Sequence, residues 1–230
     1  MALRIFALLA ACCYAACFVL VLVANLEADM LEQTYSENCT ADKGFPKVTN
    51  IAKLGMFDAC IEQKVGDGTT GEQCGKLDSS CNPEGVTLVQ SNMCDDQSMK
   101  AFENAGGIYP YSELCQIHQG ITYPMMLGLA AAAVCCGLQL VSMINICAKI
   151  LDCVTGIIGQ IGGICVGIPI IFFGIIPAMA ENLGAGSIGD YASFTYAQGA
   201  MFYLAVVGLI CFYAGNFLVC CCGCCCRKPV

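Results

Sequence analysis

The sequence has no Trp, one His and few charges: only 12% of its 230 residues are Asp, Glu, Lys or Arg. A soluble domain carries about 25% charged residues. That shortage, with 57% hydrophobic residues and a mean hydropathy of +0.69, excludes a soluble enzyme, a disordered chain and a nucleic-acid binder. Basic residues are scarce too: ten stand against eighteen acids, for a net charge of −8. No global positive field is available to attract a polyanion. The lack of Trp removes one membrane-interface anchor and leaves Tyr. The single His, His118, excludes a His-rich metal motif, and the apolar runs carry no paired carboxylates. The expectation is no enzyme, no cofactor and no metal. No long-period repeat is visible.

What the chain does have is four long apolar runs. A helix needs about 20 such residues to cross the hydrocarbon core. Ile5–Leu26, Met125–Cys147, Leu151–Met179 and Ala197–Val219 qualify. A hydrophilic segment, Glu27–Tyr123, separates the first two. Ala148–Ile150 is expected as a short turn between the second and third, and Glu181–Tyr196 as a Gly-rich loop before the fourth. The organisation read from this is a first transmembrane helix at 1–26, a Cys-rich module at 27–123, three further helices with short loops at 124–222, and a tail at 223–230. The fold class is membrane α-helical. It is a four-helix transmembrane bundle with a disulfide-stapled, β-rich extracellular module inserted between helices 1 and 2. A cleaved signal peptide is the rival reading of the first run, with Arg4 in the n-region and a cut after Ala24. The run is longer than the usual 7–15-residue h-region.

Charge sets the orientation. The basic residues outside the large segment are Arg4, Lys149, Arg227 and Lys228. They lie at the N-terminus, the 2–3 turn and the C-terminus, which an even number of spans puts on one side. The positive-inside rule makes that side cytoplasmic and discounts the Lys of a long loop. The protein is expected in the plasma membrane with both termini inside and the large loop outside. Asn38-Cys39-Thr40 is a glycosylation sequon on that outer face.

The twenty-one Cys fall into three groups. Six lie in the large segment: Cys39, Cys60, Cys74, Cys81, Cys94 and Cys115. An even count in an exported module reads as three disulfides, with fifteen connectivities open. Nine more lie in or beside the spans, where a thiol packs as a small hydrophobe. The last six, Cys220, Cys221, Cys222, Cys224, Cys225 and Cys226, adjoin Arg227 and Lys228. Juxtamembrane Cys at a cytoplasmic helix end reads as S-palmitoylation. A zinc site, the alternative, lacks a second well-separated C-x-x-C pair.

Within the large segment, Pro46–Lys53 and Phe57–Gln63 carry β-branched and aromatic residues in partial alternation and are expected strands. Asp67-Gly68 and Thr70-Gly71 mark a turn before a short strand near Cys74–Leu77. Gly85–Gln90 is a further β-prone run, and Asp95–Asn104 reads as a short helix.

Gly55-Met56-Phe57-Asp58-Ala59-Cys60, followed by Cys74, resembles the signature of the claudin and peripheral-myelin-protein superfamily. That signature is Gly-Leu-Trp, two residues, Cys, then a second Cys, in the first extracellular loop. Lys76 and Asp78 are also similar to claudins. So is the layout, with four spans, cytoplasmic ends, a β-rich first loop and a shorter second loop. Phe57 stands in the Trp position, and the first loop is longer than the family's, with four additional Cys. The resemblance implies a Cys60–Cys74 bond, leaving Cys39, Cys81, Cys94 and Cys115 for two more. Phe57 is expected to lie near Cys60 and to pack onto the helix ends.

In the third run Gly159, Gly163 and Gly167 recur at four-residue steps, which lets another backbone approach closely. The face serves either the bundle itself or a neighbouring protomer. Asp152 is expected to pair with Lys149. Three functions fit. The first is a claudin-like structural protein that self-associates laterally and organises the membrane or cell contacts. The second is an accessory subunit of a larger membrane complex such as an ion channel. The third is a cation-conducting assembly between protomers or cells. The expected partners are membrane lipid and either a homo-oligomer or a larger membrane-protein complex, with no nucleic acid.

Overall fold

Each apolar run forms a helix. In this computed structural model α1 spans Ala2–Leu26, α2 Ser112–Ser142, α3 Ala148–Asn182 and α4 Ala200–Leu218, the last continued by a π-helical turn, Val219–Cys224. The structure describes residues 2–37, 48–65, 68–76, 112–144, 148–182 and 192–224. Four segments are long and apolar enough to cross a membrane: Ile5–Leu26, Gln116–Ser142, Ala148–Ala178 and Ala200–Cys221. The chain is a multi-pass membrane protein.

Three helix starts differ from expectation, the last being α4, which begins at Ala200 and not Ala197. α2 begins at Ser112, well before Met125. His118, Ile121, Met125, Leu129, Ala132, Cys135 and Gln139 are all buried and recur every three or four residues. That spacing marks one helical face whatever the polarity of the other. Pro124 sits inside the helix, removing one i→i−4 bond without ending it. α3 begins at Ala148, so Ala148–Ile150 is its first turn and not the expected link. Ala148 is already buried while Lys149 and Ile150 face out. A lysine there lays its stem along the helix and keeps its ammonium in water. The chain turns earlier, at Met143–Ile144, where the Ile144 N–H donates to the Val141 carbonyl at 3.0 Å.

The chain divides into two compact units. One comprises Met1–Val23, Ile121–Ile171 and Tyr203–Val230; the other comprises Ala24–Gly120 and Phe172–Phe202. In the first unit, glycines set the helix contacts. A Cβ on Gly159 would lie 2.6 Å from Asn216 Oδ1, one on Gly163 3.1 Å from the Tyr213 ring, and one on Gly167 4.0 Å from Leu209. The α3 glycine row therefore faces the chain's own α4. Gly128 of α2 makes room for Val166 of α3, and Gly208 and Gly215 of α4 admit Val21 and Cys13 of α1. Tyr14 of α1 and Phe212 of α4 meet edge to face at 5.3 Å, both fully buried.

The second unit holds a five-stranded antiparallel sheet. Its strands are β1 (Leu31–Glu37), β2 (Val48–Leu54), β3 (Asp58–Val65), β4 (Gly68–Lys76) and β5 (Ala192–Gln198). Their order is β4-β3-β2-β1-β5. β2 and β3 coincide closely with the expected strands. β4 starts at Gly68, so Thr70-Gly71 lies inside it, beyond a register shift at Gln63/Lys64. β5 lies where a Gly-rich loop and the start of a span were expected. The sheet is thus not wholly an insertion between the first two helices; its edge strand comes from between α3 and α4. Asp95–Asn104 and Gly85–Gln90 lie outside the described residues.

The link after α1 also caps α4. Asp29 Oδ2 accepts from the Ala200 N–H at 3.1 Å, and the Asp29 carbonyl accepts from the Met201 N–H at 3.1 Å. A carboxylate at a helix N-terminus satisfies orphan donors and meets the positive end of the dipole. Asp29→Ala is expected to lower stability by about 1 kcal/mol, with Asp29→Asn milder, in thermal unfolding of the detergent-solubilised protein. Gly163→Leu adds about four carbons against Tyr213 and is expected to destabilise the fold itself by about 1–3 kcal/mol. Unchanged unfolding of that variant would show that α3 and α4 do not meet there.

Candidate functional site

The residues of the signature come together in the second unit. Cys60 of β3 stands directly opposite Cys74 of β4, and their sulfur atoms are bonded. Ladder register places Cys60 beside Lys53 of β2 on its other side. Residues opposite one another share a face, and side chains alternate along each strand. One face therefore carries Glu32, Lys53, Cys60, Glu62 and Cys74, the other Leu31, Ala52, Leu54 and Ala59. The second set is buried, Ala59 fully and Leu54 to 1% exposure, while Cys74 is exposed and Cys60 half-buried. The disulfide belongs to the polar face.

That face is laced by charge. Lys53 Nζ reaches Glu72 Oε1 at 3.2 Å, bridging β2 and β4 over β3, and Lys64 pairs with Glu62 at 3.4 Å. The hydrogen bond to Glu72 raises the Lys53 pKa above its ordinary value. The Glu72 carboxylate and the sulfurs of Cys60 and Cys74 lie within 4.8 Å of one another. The sulfurs are joined, so neither is a thiolate, and this cluster offers a metal only one ligand.

Gly55 occupies a place only glycine fits. A Cβ there would lie 2.8 Å from the Glu27 carbonyl oxygen and 2.9 Å from Ala28 Cα. Both are backbone atoms that cannot swing aside. The Gly55 N–H donates to the Asp58 carbonyl at 2.9 Å, closing the bend between β2 and β3. The bend sends Met56 inward, 2% exposed, and turns Phe57 out, 38% exposed. Met56 is the buried residue of the bend, and Phe57 is the more exposed of the two.

The Gly55 carbonyl faces His118 Nε2 at 3.1 Å. A carbonyl only accepts, so Nε2 carries the proton. His118 is 2% exposed and meets Phe173 edge to face at 5.7 Å. The sequence alone does not place this histidine. Its signal is its position on the buried face of α2, one helical step before Ile121. It ties α2 to the signature glycine.

A second polar cluster lies between α2 and α3 in the first unit. Gln139 Nε2 donates to Asp152 Oδ1 at 3.2 Å, both buried, and Ser142 Oγ donates to the Gln139 carbonyl at 2.9 Å. Gln139 is thus one partner of Asp152, and Lys149 is exposed. Of the modification candidates, Cys220 and Cys221 are half-buried in the π-helical turn, which also contains Cys222 and Cys224. Cys115 falls in the first turn of α2. Asn38, Cys39, Cys81, Cys94, Cys225 and Cys226 lie outside the described residues. Compared with known proteins, the chain matches no family model and no curated relative.

The tie between His118 and Gly55 makes a sharp prediction. His118→Phe keeps the ring against Phe173 but leaves a buried carbonyl without its donor, and is expected to cost about 1–3 kcal/mol. His118→Gln, which can still donate, is expected to recover part of that. Thermal unfolding in detergent reads both. Equal losses in the two variants would mean that the bond contributes nothing.

Proposed function

We propose that this protein is a claudin-like structural four-span protein that self-associates laterally in the plasma membrane and organises the membrane or cell contacts. The observation that carries the reading is the placement of the signature. Its two cysteines are bonded across neighbouring strands, its glycine sits where no other residue fits, and the sheet draws on both loops. A stapled sheet with a charged face is built to present a surface, not to perform chemistry. Among the described residues β4 and β5 stand at the two ends of the strand order, the place where a sheet can add a neighbour's strand. The glycine row of α3 is occupied by α4 of the same chain, so the proposed self-association uses other surfaces.

The topology proposed with it has the sheet and the Asn38 sequon outside and both termini in the cytoplasm. The Cys220–Cys226 cluster then lies at the cytoplasmic face, where acylation would fix the tail against the bilayer. Antibody labelling of intact cells tests the orientation. A tag after Val230 is expected to be reached only after permeabilisation, and labelling without permeabilisation overturns the topology. Two differently tagged copies are expected to co-purify in mild detergent. Stoichiometric capture of one large partner, with no second copy, would favour the accessory-subunit reading instead.

A further inference from the structure

The strands of the sheet are not held alike. β1, β2 and β3 send side chains into the core: Leu31, Ala52, Leu54 and Ala59 are all buried. β4 buries none of its described residues. Glu72, Gln73, Cys74 and Lys76 are exposed, and Gly75 is half-buried. Three of its nine residues, Gly68, Gly71 and Gly75, are glycine. Glycine weakens a strand, because it brings no side chain to pack and loses the most freedom on ordering. β4 stands at the end of the strand order beside β3, and the ladder between them shifts register at Gln63/Lys64. Glu72 lies directly opposite Glu62, a position in which like charges repel. Lys53 and Lys64 offset that repulsion, but through partly exposed ion pairs, which are weak in water. What remains is the Cys60–Cys74 bond, which ties β4 covalently to β3.

The same bond is within reach of a reductant. It lies on the polar face of the sheet, with Cys74 exposed and Cys60 half-buried. Exchange requires a thiolate to approach one sulfur in line, so access to Cys74 decides whether it can start, and exposed disulfides are the more easily reduced ones. The Glu72 carboxylate beside the sulfurs is paired with Lys53, which offsets the negative charge an approaching thiolate meets.

We infer that the Cys60–Cys74 bond is a redox switch, opened by a protein dithiol of the thioredoxin class, that decides whether β4 belongs to the sheet. One thiolate of the dithiol attacks Cys74 Sγ and forms a mixed disulfide as the bond to Cys60 breaks. Cys60 leaves as a thiolate and takes a proton. The second thiol of the reductant loses its proton and attacks its own partner sulfur, and Cys74 leaves and is protonated in turn. Two electrons and two protons have passed to the protein, and the reductant departs as a disulfide. The weak strand is then held by its ladder and exposed ion pairs alone. With β4 released, the described strand order ends at β3, so the switch also sets which strand stands at that end of the sheet. It goes beyond the self-association proposed above and stands whether or not that occurs.

The test treats the full-length, detergent-solubilised protein with thioredoxin and its reductase below the unfolding transition. Free thiols are alkylated and mapped by mass spectrometry while amide exchange is followed. Cys60 and Cys74 are expected to become alkylatable while the helices keep their thermal transition. Peptides covering Gly68–Lys76 are expected to exchange about 10-fold faster or more, with Val48–Leu54 unchanged. Reoxidation is expected to restore the protection. Cys60→Ala combined with Cys74→Ala is expected to show fast β4 exchange with no reductant present. A bond that resists the dithiol until the protein unfolds overturns the switch, and so does reduced wild type whose β4 stays protected. Reduced wild type in which Val48–Leu54 exchanges as fast as β4 overturns it too, because the bond would then hold the whole sheet.

Discussion

Close approach of helix backbones is the constraint on which the membrane part depends. In water, burying a leucine drives two helices together; in lipid the surroundings are already apolar. What remains is dispersion, which falls off within a fraction of an ångström of ideal contact, and the occasional hydrogen bond. A helix pair held that way needs small residues where the axes are nearest. The bundle meets the need with glycine on one side of a contact and a larger group on the other. Gly128 receives Val166, Gly163 receives Tyr213, and Gly208 receives Val21. Gly162 serves two neighbours, since its absent Cβ would meet both Ala131 and Phe212. The abundance of glycine in α3 is a packing requirement, although isolated glycines weaken a helix in water.

The second constraint is that polar groups away from water must find one another. The chain meets it in places with short local arrangements, while the Tyr14 hydroxyl and the Asn216 carboxamide are buried with no hydrogen-bond partner among the described residues. Gln139 and Asp152 join across α2 and α3, and Ser142 and Thr155 return their hydroxyls to carbonyls of their own helices. The same rule operates in the sheet unit. His118 covers the Gly55 carbonyl, and Gln198 Nε2 donates to the Gly174 carbonyl at 3.3 Å. The sheet carries the charged pairs Lys53–Glu72 and Lys64–Glu62, whose partners are partly exposed, and each contributes at most about 1 kcal/mol.

Much of this is legible in the chain. Four spans come from hydropathy alone, since a bilayer demands about 20 apolar residues per helix. β2 and β3 are legible from their β-branched and aromatic runs. β1 is not, because Leu31–Glu37 begins just after a span and is mostly polar. β5 is hidden differently. Phe194 and Tyr196 alternate with Ser193 and Thr195, a valid strand signal, but Ala197 and the residues after it belong to an apolar run that swallows the strand's end. Helix starts escape a hydropathy reading because apolarity is not the limit of a helix. Hydropathy reports what touches lipid, while buried periodicity reports what is helical, and α2 continues past the first into the second. The Cys60–Cys74 bond comes from a resemblance, since six cysteines leave fifteen pairings open. Register supplies its physical ground: the two residues are directly opposed.

The signature itself is explained by backbone more than by side chain. Its glycine is fixed by the Glu27 carbonyl and Ala28, its bend by the bond to the Asp58 carbonyl, and its first cysteine by the register of β3 against β4. None of these depends on the residue at 57. That is why Phe57 can stand there exposed while the geometry around it is intact. The position with a packing role is 56, where a flexible methionine fills the space behind the bend. The buried residue of the bend and its more exposed neighbour therefore lie one residue apart.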